Sequence, residues 1–74
     1  MCRTEFDRHL GKRLRVRRRC LLMTQADVGR SVGVRFQQIQ KYECGLTSPS
    51  VARLVQLAGV LHTTVADLVE GFSP

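Results

Sequence analysis

Thr24–Gly45 reads TQADVGRSVGVRFQQIQKYECG, two short helical patterns separated by one glycine. Thr24 can cap a helix with its hydroxyl, and Asp27, three positions on, completes a capping box. Val28 and Val32 repeat one turn apart on a single face. Gly33 then stops this helix, because a tight reversal favours a residue that takes positive φ at no steric cost. Beyond it Val34, Ile39 and Tyr42 give a second helix its apolar face, and Gly45 ends that helix.

Working outward, the spacing predicts five helices, with no strand, repeat or linker. The first runs from about Glu5 to Cys20 or Leu22, with Phe6, Leu10, Leu14 and Leu21 on one side. The pair from Thr24 to Gly45 follows. After a loop at Leu46–Ser48, Pro49 suits the first turn of a fourth helix capped by Ser48 or by Ser50, with Val51, Leu54, Leu57, Ala58 and Leu61 as its stripe. Thr64 with Asp67 makes a second possible capping box, opening a short fifth helix with Val65, Leu68 and Val69 that ends at Gly71.

With 74 residues there is room for one domain, 1–74, whose core is small enough that help from a partner chain is plausible. No window reaches the length of a membrane span, and the N-terminus lacks a secretory h-region, so the chain is expected in the cytoplasm. The net charge of +6 points to an anionic partner. Residues 1–20 hold eight Lys/Arg against Glu5 and Asp7, a surplus of six, while residues 21–74 balance four against four. The whole surplus sits on the first segment, which suggests an electrostatic arm or face that supplies phosphate contacts, with residues 1–8 as a basic N-terminal extension. A solvated helix face is the plainer reading of such a run.

Cys2, Cys20 and Cys44 are odd in number and lack ligand spacing, so neither a disulfide framework nor zinc is expected, and no cofactor is implied. His9 and His62 lie far from any such cluster. There is no Ser/His/Asp set, usable carboxylate pair or Gly-rich phosphate loop, which argues against an enzyme. Two short helices across a tight turn have one known use that suits a basic chain: the second lies in the major groove of DNA.

Leu14-Arg15-x-x-Arg18, Met23-Thr24-Gln25, Val28-Gly29, Val32-Gly33-Val34, Ile39, Tyr42-Glu43-x-Gly45, Pro49-Ser50, Leu54, Leu57-Ala58, Leu61 and Leu68 together carry a resemblance. Over roughly residues 10–70 the chain resembles the XRE family, the helix-turn-helix domains of lambdoid phage Cro and repressor proteins. The resemblance implies an all-α, compact five-helix bundle of the lambda-repressor-like DNA-binding type, with the helix-turn-helix at 24–45. Four positions depart from the family pattern. Leu22 and His62 stand where glycine is usual, Gly29 where alanine is, and Cys44 where Arg or Asn is common.

On the third helix Gln37, Gln40, Lys41 and Cys44 fall at i, i+3, i+4 and i+7, opposite Ile39 and Tyr42. Gln can pair bidentately with adenine, and Lys can donate to guanine. Arg35 and Phe36 open that helix; Phe36 is placed to touch a thymine methyl or to pack, and both readings stay open. The resemblance supports Arg35, Phe36, Gln37, Gln40 and Lys41 as the base-reading set. Gln25 opens the second helix, where exposed amides and the dipole can hold a phosphate, and the resemblance makes it a backbone contact. Lys12, Arg13 and Arg17, with Thr47 and Ser48, are further phosphate candidates. The resemblance also implies that Arg18 and Glu43 form a structural ion pair and do not touch DNA. Cys44, at the edge of the DNA-facing stripe, would make binding thiol-sensitive or be inert.

Val55, Val60, Val65, Val69 and Phe72 exceed what one small core needs, and an isologous dimer would use the surplus. The expectation is therefore a homodimeric transcriptional regulator that reads a palindromic operator on double-stranded DNA. The alternative is an antitoxin-like or adaptor module that keeps the fold but binds a protein partner such as a toxin. A domain of this kind resembles controller proteins, compact phage repressors and DNA-binding antitoxins.

Overall fold

The computed structural model describes residues 4–71, which form α1 (Glu5–Cys20), α2 (Gln25–Val32), α3 (Phe36–Cys44), α4 (Val51–Val60) and α5 (Val65–Val69). There is no strand among the described residues. Four of the helices start on a hydroxyl. The side chains of Thr4, Thr24, Ser50 and Thr64 accept from the amides of Asp7, Asp27, Arg53 and Asp67 respectively. Each bond satisfies one of the amides that a helix start leaves without an intrahelical acceptor. At Thr24 the box is complete, since its own amide donates back to Asp27.

One local expectation is corrected. The fourth helix is capped by Ser50, so Pro49 precedes it and Ser48 is drawn away towards α1. Thr4 caps α1, which starts at Glu5 as its spacing suggests, so residues 5–8 of the basic segment are helical; residues 1–3 lie outside the described residues.

The ends of α1, α2, α3 and α4 share one device. The amides of Met23, Val34, Leu46 and Thr63 each donate to the carbonyl five residues back, at Arg18, Gly29, Lys41 and Ala58. The residue just before each donor is left-handed: Leu22 (φ 57), Gly33 (φ 79), Gly45 (φ 76) and His62 (φ 55). This is the 6→1 bond of a Schellman ending, which needs one left-handed residue whatever its side chain. Leu22 and His62 therefore adopt the conformation that glycine would take more cheaply.

The helices close around Leu10, Leu14, Val28, Ile39, Tyr42, Leu54, Leu57, Ala58, Leu61 and Leu68. α1 packs on α3 and α5, α2 on α3 and α4, and α4 on α5. Burying each of the larger aliphatic side chains contributes about 1.5–3 kcal/mol, and their i, i+3, i+4, i+7 spacing makes the face continuous. Val51 is corrected out of the α4 stripe: it is 79 % exposed at the start of that helix. α1 approaches α3 closely at Gly11, where a Cβ would lie 2.5 Å from the Glu43 carbonyl oxygen and 2.6 Å from that of Tyr42. A side chain at this position would push the two helices apart.

Candidate nucleic-acid interface

Two anchors fix α3. Ile39 and Tyr42 are buried in the core, and Glu43 is buried against α1. Arg18 donates from Nε to Glu43 Oε2 at 2.6 Å and from Nη2 to Oε1 at 3.0 Å, and from Nη1 to the Met23 carbonyl at 2.9 Å. Gln25 Nε2 donates to Glu43 Oε1 at 3.1 Å, and Arg15 Nε reaches the same oxygen at 3.4 Å. One carboxylate thus ties α1, the start of α2 and the end of α3 together. Burial alone pushes the Glu43 carboxyl up, but hydrogen bonds from Arg18 and Gln25, the Arg18 charge and the Arg15 bond outweigh it and hold the group below its ordinary value. The Glu43 hydrogen bond in turn raises Arg18.

With Ile39, Tyr42 and Glu43 turned inward, Arg35, Phe36, Gln37, Gln40, Lys41 and Cys44 are exposed. Arg35 occupies the cap position of α3 without using its side chain as a cap. Phe36 is 47 % exposed and stands outside the core set. Gln38 points elsewhere: its Nε2 donates to Thr47 Oγ1 at 3.2 Å, which steadies the loop after α3. The fold thus presents one outward stripe of amides and cations, with an aromatic residue at its leading end.

At the start of α2 the capping box consumes the amides of Thr24 and Asp27. The amides of Gln25 and Ala26 remain for an anion, beside the second N–H of the Gln25 side chain. The Asp27 carboxyl is held low, chiefly by the Thr24 backbone hydrogen bond, and pairs with Arg30.

The expected phosphate set divides. Lys12 is exposed. Arg13 Nη2 instead donates to the Asp67 carbonyl at 2.8 Å, at α5. Arg17 donates to the Leu61 carbonyl at 2.9 and 3.3 Å and to that of His62 at 3.0 Å, at the end of α4. Both arginines therefore sit on the α5 side of α1 as partners of helix-end carbonyls, where a cation also meets the negative end of the helix dipole. Thr47 accepts from Gln38, and Ser48 donates to the buried Asp7.

The surplus valines divide as well. Val65 packs on the core, Val60 and Val69 are half-buried, and Val55 is 56 % exposed. Phe72 lies outside the described residues.

Three roles escaped the sequence reading. Arg15 joins the Glu43 cluster, and Arg53 of α4 donates to the Val32 carbonyl at the end of α2. Arg19 stands exposed beyond Arg15 on the same side of α1. None had a local signal that set it apart: Arg13 and Arg17 keep a helical spacing just as Lys12, Arg15 and Arg19 do.

Among the described residues no helix is long and apolar enough to cross a membrane. Among known proteins, the chain is 42 % identical over 65 residues to an uncharacterized HTH-type transcriptional regulator of Sinorhizobium medicae, covering 88 % of this chain and 47 % of that protein. It is 47 % identical over 59 residues to an uncharacterized transcriptional regulator in the ATPase CF(0) region of Rhodospirillum rubrum, covering 80 % of this chain and 55 % of that protein. The chain thus spans about half the length of the curated relatives it matches. The P22 c2 repressor, solved in complex with a synthetic operator, superposes with a TM-score of 0.79 at 33 % identity over 85 % of this chain and 96 % of that one. The helix-turn-helix family model matches residues 14–68, and with the five-helix fold and the repressor likeness it shows that the chain belongs to the helix-turn-helix family of XRE type.

Proposed function

We propose that this domain is a transcriptional regulator that binds double-stranded DNA and reads its sequence in the major groove. The observation that carries the reading is the outward stripe of α3, rigidly aimed because Glu43, Ile39 and Tyr42 hold the opposite face. Arg35, Phe36, Gln37, Gln40 and Lys41 are the base-reading residues, with Lys and Arg suited to guanine and Gln to adenine. Gln25 with the α2 amides and Lys12 hold phosphates, which set register and carry no sequence information. The likeness to a repressor seated on an operator supports the same docking.

The regulator acts as a C2 homodimer on a palindromic site, with half-sites about 34 Å apart. Val51 and Val55, one turn apart and exposed on α4, support an apolar contact between copies. Selection of bound sites from a random DNA pool, with sedimentation at micromolar concentration, tests both levels. A palindromic winner bound roughly a thousandfold above random sequence is the expected result. Enrichment of no sequence overturns the reading, and a monomer that still binds one half-site overturns the dimer alone.

A further inference from the structure

The cations of α1 are sorted by the fold into two sets that the sequence does not distinguish. Arg13, Arg17 and Arg18 turn towards α3, α4 and α5 and spend their donors on carbonyls and on Glu43. Arg8, Lys12, Arg15 and Arg19 follow at i, i+4, i+7 and i+11, which is one stripe along the helix. Lys12 and Arg19 are exposed and have no intramolecular partner among the described residues. The Arg15 side chain is 41 % exposed, and its one bond to Glu43 is long at 3.4 Å.

The direction of this stripe is fixed by Glu43. Arg15 and Gln25 both reach Glu43 Oε1, so the stripe borders the start of α2, where Gln25 and two backbone amides remain for a phosphate. Arg19 follows Arg15 by four residues, one turn further along the same face of α1, and is exposed. From Lys12 to Arg19 the stripe runs about 10 Å at 1.5 Å per residue, which spans more than one phosphate of a DNA strand.

We propose that Lys12, Arg15 and Arg19 form a phosphate track that prolongs the Gln25 contact along α1, so that the domain grips DNA backbone flanking the bases read by α3. The track rests on the DNA-binding reading above. It carries no sequence information, so it raises affinity for any duplex that extends past the recognised bases. Arg15 exchanges its long bond to Glu43 for a phosphate, while Arg18 and Gln25 keep Glu43 in place.

The test uses the full chain and two duplexes carrying the selected site, one with flanking sequence and one trimmed to the site. Affinity is measured across a salt series for wild type, for Lys12→Gln/Arg19→Gln, and for that pair with Arg15→Gln. On the flanked duplex the slope of log K against log salt should fall by roughly two in the double variant and nearly three in the triple, with the preferred sequence kept in both and the melting temperature kept in the double variant. On the trimmed duplex both variants should keep only the loss of the Lys12 contact, a slope change of roughly one. If wild type selects its site and the double variant keeps the full slope on flanked DNA, the track is overturned and the reader stands; the stripe then belongs to solvent or to an acidic protein. If wild type binds no duplex, the DNA-binding reading falls first and takes the track with it.

Discussion

Arg18 meets the Glu43 carboxylate with two nitrogens, Nε on Oε2 at 2.6 Å and Nη2 on Oε1 at 3.0 Å, and so clamps the last turn of α3 to α1. The Glu43 side chain is almost fully buried, so the pair's value lies in its completeness. Removing one partner leaves an uncompensated charge inside, at about 3–5 kcal/mol. Glu43→Ala should therefore lose folding stability on that scale, with DNA affinity falling only as the folded fraction falls. Thermal melts beside titration of the selected site check this: an unchanged melting temperature with lost affinity would move Glu43 into the interface.

The same carboxylate sets an acid limit. Glu43 binds its proton more weakly in the folded chain than in the unfolded one, so its contribution is complete above the ordinary carboxyl value of 4.5 and is lost as pH falls below it through the depressed folded value. Asp27 is shifted in the same direction, and its contribution is lost only as pH falls below its own ordinary value of 3.8. Melting temperature should hold from neutral pH down to about 5 and then fall steeply. Glu43→Gln should start lower and decline less over the acid range. A variant that retains the wild-type acid slope would place the titration elsewhere.

What could be read from the sequence, and what could not, follows from distance along the chain. The α2 box uses Thr24 and Asp27, three residues apart, and the two glycine-ended helices stop where a left-handed residue is locally required. The outward stripe of α3 follows from the period of its apolar partners. Arg13 and Arg17 differ because their acceptors at Asp67 and Leu61 are more than forty residues away. As local sequence they are indistinguishable from Lys12 or Arg19, and all four read as one basic run. Ser48, which the local sequence favours as the cap beside Pro49, donates instead to Asp7 forty-one residues away, and Ser50 takes the cap.

Leu22 and His62 offer a gain in stability. Both are left-handed, at φ 57 and φ 55, and Leu22 is 92 % exposed, so no packing is lost on truncation. A non-glycine residue in this region costs about 1–2 kcal/mol, partly offset by the greater freedom of glycine in the unfolded chain. Leu22→Gly and His62→Gly should each stabilise by about 0.5–1 kcal/mol. Arg17 should be undisturbed in the second variant, since it binds the backbone carbonyl of residue 62. Urea titrations of the two variants and their combination give the values, and a loss on either would show that the side chain contributes more than the strain costs.

Gly11→Ala sets local propensity against packing. In an exposed helix interior the change would gain about 1 kcal/mol. Here the new Cβ would meet the carbonyl oxygens of Glu43 and Tyr42 at 2.5 and 2.6 Å, both backbone atoms that cannot rotate away. Overpacking of this kind costs about 1–3 kcal/mol, so the net sign is destabilising. The displaced element is the last turn of α3, which carries Lys41. Gly11→Ala should thus lower melting temperature and also weaken discrimination at the base that Lys41 reads, whereas Lys41→Ala should weaken that discrimination, by about 1–3 kcal/mol, at unchanged stability. Melts and affinities for single-base variants of the selected site separate the two; a Gly11→Ala protein more stable than wild type would mean that α1 and α3 can part without cost.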